Sequence, residues 1–68
     1  MNEPVVTLEH CRRLGYCARG MRAFFASHGL DWTAFREMGL PAPTIEATGD
    51  AMAIRAAELA RAEAQKGE

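Results

Sequence analysis

The chain has 68 residues, with 8 Lys+Arg against 9 Asp+Glu and a net charge of −1, so it holds one domain and carries no bulk charge for nucleic acid. Of its 49% hydrophobic residues, 13 are Ala and only 12 are Leu, Ile, Val or Phe, which makes the core thin. Nothing approaches the ~20 apolar residues of a membrane span. MNEPVVTLEH lacks the basic and apolar regions of a secretory signal, so no membrane association and a cytoplasmic location are expected.

Residues 1–6 are expected to be a flexible start. Thr7 then caps a short first helix, Leu8 to Leu14, ended by Gly15. Leu8, Cys11 and Leu14 share its inner side, and His10 falls toward the polar side. A second helix is predicted from Cys17 to His28, ended by Gly29, with Cys17, Met21, Phe24, Phe25 and His28 as its apolar stripe. Gly20 inside that helix points to a close backbone contact. Asp31 caps a third helix, Trp32 to Met38, with Leu30 and Phe35 at hydrophobic-staple spacing and Trp32, Phe35 and Met38 on its inner face.

Leu40-Pro41-Ala42-Pro43 reads as an extended connection, because a residue before proline is pushed out of the α region. Thr44 to Ala47 makes one helical turn around Ile45. Asp50 caps a long last helix reaching about Gln65, in which seven of the fourteen residues from Ala51 to Ala64 are Ala. Its expected inner face is Met52, Ala56, Leu59 and Ala60. Arg55, Glu58 and Arg61 form an outer charge ladder, and Ile54 falls among those charges. Residues 66–68 are expected to be a flexible end. No strand pattern emerges, so the expected fold is all-α: a single helical domain over 7–65, a compact bundle of three short helices plus a longer C-terminal helix.

Small domains usually lean on a staple. Two cysteines allow one disulfide, which a reducing compartment disfavours. His10, Cys11, Cys17 and His28 are of metal-ligand type, but the Cys-x5-Cys spacing lacks the short knuckle of structural zinc sites. Both thiols also fall on apolar stripes, so buried cysteines are expected and no metal. Cys17 and His28 lie eleven residues apart on one helix, about 16 Å, and cannot act as a nucleophile–base pair. With no phosphate loop and scattered carboxylates, no catalytic residue and no cofactor are expected.

The second and third helices around Gly29 resemble a helix-turn-helix unit, although Phe25 stands where a small residue normally lets the helices approach. Such a unit would offer Thr33 and Arg36, with Arg22, to DNA. Asp31 and Glu37 beside them make a weak reader of phosphates and bases. Arg12, Arg13, Arg19 and Arg22 cluster within eleven residues, where only Glu9 offsets them. That cluster, with Ile54 as part of an adjoining apolar edge, is the expected partner-binding surface. An ordinary solvated face is the plainer explanation of the same residues.

The string CRRLGYCARGMRAFFASHGLDWTAFREMGLP, followed by ATGDAMAIRAAELAR, resembles a family of small uncharacterised proteins of tailed phages and prophages. The likeness runs roughly from Val6 to Arg61. It is most particular at Gly15-Tyr16-Cys17, His28-Gly29-Leu30-Asp31-Trp32 and Ala47-Thr48-Gly49-Asp50-Ala51. It implies a bacterial cytoplasm and an accessory role in regulation or assembly, and assigns no catalytic residue. The expected function is non-enzymatic binding of a macromolecule, first a protein partner, which can be a second copy of the chain. A DNA-binding regulator ranks second.

Overall fold

A computed structural model describes residues 4–66 of the chain. Seven elements follow one another: β1 (Val5–Val6), α1 (Leu8–Arg13), α2 (Ala18–Ser27), α3 (Trp32–Met38), β2 (Leu40–Pro41), α4 (Ala42–Glu46) and α5 (Ala51–Lys66). The fold is mostly helical but not strictly all-α. β1 and β2 pair antiparallel, Val5 opposite Pro41 and Val6 opposite Leu40, and the Ala42 N–H donates to the Pro4 carbonyl at 2.9 Å. Pieces of two residues are too short to show alternation, which is why the sequence hides them.

This pairing corrects the expected flexible start. Val6 is 1% exposed and belongs to the core, so order begins before residue 7. Residues 1–3, 67 and 68 of the expected flexible ends lie outside the described residues, and Lys66 is still helical.

The predicted helix punctuation is present, with changes of detail. Both α1 and α2 close in the same way. Gly15 N–H donates to the Arg12 carbonyl and Tyr16 N–H to that of Cys11, both at 3.0 Å. Gly29 and Leu30 repeat the pattern on Ala26 and Phe25, at 3.3 and 2.8 Å. This is the Schellman closure, which needs a left-handed residue at the turn; Gly15 and Gly29 have φ of 82° and 68°. Asp31 accepts from the Ala34 N–H at 3.0 Å as the cap of α3, and Asp50 from that of Ala53 at 3.0 Å as the cap of α5.

α4 starts two residues earlier than expected. Pro43 lies in its first turn, where the missing N–H would have no helical partner anyway, so Ala42 turns helical despite preceding a proline. Ala42 is fully buried and Ile45 is 3% exposed.

α5 is the element on which α4, β1 and α1 pack. Its buried stripe is Ala53, Ala56, Ala57 and Ala60, a regular i, i+3, i+4, i+7 set. The expected face was turned from this one: Met52 is 55% exposed and Leu59 only half-buried. α4 and β1 pack close against α5, and Ala allows an approach that Met and Leu would block. At the other pole Phe25 meets Phe35 at a ring distance of 4.7 Å and Trp32 at 5.4 Å. Those rings fill the angle between α2 and α3. Met38, expected on the inner face of α3, is 73% exposed.

Candidate binding surfaces: an arginine face and an apolar cleft

The arginines fall into two groups. Arg13 is tied into the fold: its guanidinium bonds Glu63 of α5 and lies 3.8 Å from Glu9 one turn back. Arg61 forks onto Glu46 of α4 through two bonds of 2.8 Å. The hydrogen bond from Arg13, then that from His10, holds the Glu63 carboxyl below its ordinary range, and the hydrogen bond from Arg61 does the same for Glu46. The Glu63 bond in turn raises the Arg13 guanidinium. Arg12, Arg19 and Arg22, like Arg36 on α3 and Arg55 on α5, are exposed and make no ion pair among the described residues.

His10 completes the Arg13 cluster. It is 7% exposed rather than on the polar side, because the ring is needed at both edges. Nδ1 accepts from the Thr7 N–H at 2.9 Å, so the proton sits on Nε2, which donates to Glu63 at 2.9 Å. The partner is 53 residues away, and no local pattern in the sequence announces such a contact.

Ile54 does not adjoin the arginines. It precedes Arg61 by seven residues, close to two turns, and so shares the flank of α5 that meets α4. The α1 side of α5 is the one that carries Glu63. Leu40 packs against the core. Thr33 and Arg36 are exposed on α3, and Glu37 is exposed next to them.

The two thiols differ, contrary to expectation. Cys11 is 6% exposed, and burial raises its pKa. Cys17 is exposed; its Sγ accepts from the Gly20 N–H at 3.4 Å as the cap of α2. The tight contact at Gly20 is with this sulfur, 3.3 Å from where a Cβ would stand, and not with another helix. Among the described residues no three His, Cys, Asp or Glu side chains converge in a way that could hold a metal ion, and no helix is long and apolar enough to cross a membrane.

A cleft of about 240 Å³ opens between α2 and α5, a feature no sequence pattern marks. Its walls are carbon and sulfur: Phe24, Met21 and Cys17 on one side, Met52, Ala53 and Ala56 on the other. The Tyr16 hydroxyl donates to the Met52 carbonyl at 3.2 Å and so ties the α1–α2 turn to the start of α5. Asp50 is the one acid in the lining, and its carboxylate is engaged in capping. Arg19 and Arg22 project from the side of α2 opposite Met21 and Phe24, so the arginine face and the cleft are separate surfaces.

No protein-family model matches the chain, and no significant match appears among curated proteins or solved structures.

Proposed function

We propose that the protein is a small non-enzymatic accessory factor that binds an acidic protein surface through Arg12, Arg19 and Arg22. One observation carries this reading. The fold ties Arg13 and Arg61 into internal ion pairs yet leaves these three exposed and unpaired within eleven residues on two consecutive helices, whereas the other exposed arginines, Arg36 and Arg55, stand singly on α3 and α5. Exposed guanidinium groups offer five donors each in a fixed fork, suited to carboxylates across an interface. A regulatory or assembly setting in a bacterial cell, as the resemblance to small phage and prophage proteins implies, is part of the proposal. Arg13, paired with Glu63, and Ile54, on the α4 flank of α5, were also expected in this surface from the sequence, and the reading does not rest on them.

The test is capture of a partner from a cell extract by the tagged chain and by its R12E/R19E/R22E variant. Retention by the wild type and loss in the variant is the expected result, with weaker capture at higher salt because rim charges are screened. Equal capture by both chains refutes the reading. The DNA-contacting alternative through Thr33, Arg36 and Arg22 instead requires a gel shift whose affinity falls steeply with salt.

A further inference from the structure

The cleft between α2 and α5 is independent of the arginine face, and its chemistry defines an occupant of a different kind. We propose that it is a binding site for an uncharged hydrophobic small molecule about the size of a two-ring aromatic.

Size is the first argument. An apolar cavity of about 150 Å³ is enough to hold benzene. Drug-sized pockets start near 300 Å³. At about 240 Å³ the cleft falls between these, with room for a fused pair of rings.

Wall chemistry is the second. Phe24 and Tyr16 offer aromatic surface, and the thioethers of Met21 and Met52 adapt to an irregular ligand shape. The polar groups nearby already have partners: the Tyr16 hydroxyl on Met52, and the Asp50 carboxylate on Ala53. A buried anion would meet the Asp50 carboxylate and no cation among the lining residues.

Access is the third. Met52 is 55% exposed at the rim, Cys17 is exposed and Phe24 half-buried, so the mouth is open to solvent.

Titration of the full chain, carrying ¹³C-methyl methionine, with indole tests the site. Met21 and Met52 line the cleft, whereas Met38 is 73% exposed and does not, so it serves as an internal control. The methyl signals of Met21 and Met52 should shift saturably while that of Met38 stays in place. Indole-3-acetate, which adds a carboxylate, should bind at least ~10-fold more weakly. Ala53→Leu, which fills the cleft, should abolish the response, and R12E/R19E/R22E should leave it unchanged. Absence of saturation at Met21 and Met52, or an equal shift at Met38, overturns the proposal on the wild-type chain even if Ala53→Leu does not fold. Shifts of Met21 and Met52 that follow protein concentration without indole overturn it too, because a second copy would then cover the cleft.

Discussion

Two single residues show how narrowly local geometry is set. Gly39 has φ of 81°, and a Cβ there would stand 2.6 Å from both the Val6 carbonyl oxygen and Val5 Cγ1. Gly29 has a similar φ of 68° with nothing within 4 Å. Gly29→Ala should therefore cost about 1–2 kcal/mol, the left-handed penalty alone. Gly39→Ala should cost about 1–3 kcal/mol more, because its ψ of 173° puts it in a region essentially restricted to glycine and β1 must also move away from the end of α3. Urea denaturation of the two variants measures the gap directly.

Glu46 and Glu63 carry the pH dependence. Their carboxyls are held below the ordinary range in the folded chain, so on acidification the unfolded chain takes up their protons first. The stability they contribute is fully present above the ordinary carboxylate pKa of about 4.3 and is lost as pH falls through the lower folded values. The melting temperature should drop on the acid side of about pH 4, and the E46Q/E63Q chain should show a flatter profile there.

Among the elements, α5 decides the packing. Its four buried alanines let α4 and β1 come close, and Ala57 is fully buried. Ala57→Leu should destabilise the fold by about 1–3 kcal/mol through overpacking. Ala62→Leu, at an exposed position of the same helix, should change stability by no more than about 0.5 kcal/mol. Thermal melts of both variants separate packing from helix propensity, which the two substitutions share.

The elements were legible in the sequence where one residue acts on its near neighbours. Asp31, Asp50 and the glycines after α1, α2 and α3 work within a turn, and the helices begin or end at them. What depends on distant residues was not legible. Met52 and Met38 fit apolar stripes on a wheel, but no wheel records that Ala53 and Ala57 must face close neighbours. His10 looked polar because its partner Glu63 lies at the other end of the chain. The β1–β2 pair was hidden by its length, and the cleft is a space between elements that no single segment describes.

At the scale of the molecule, the thin core is held by more than apolar burial. The Glu63 cluster fastens α1 to α5, the Glu46–Arg61 fork fastens α4 to α5, and β1 is paired beneath them. Alanine packing and these polar ties join the elements around the small core. The near-zero net charge conceals a division: arginines that hold the fold together, and arginines that face outward. That division is the basis of the proposed partner binding.

Thermal melting of R12E/R19E/R22E beside R13E tests it most directly. The triple variant should melt within about 4 °C of the wild type, since it breaks no ion pair and the acid that R19E places in the first turn of α2 offsets the one that R12E places in the last turn of α1. R13E should melt clearly lower, because the introduced carboxylate would face those of Glu63 and Glu9. A triple variant that melts as low as R13E would contradict the account, since Arg12, Arg19 and Arg22 would then be serving the fold.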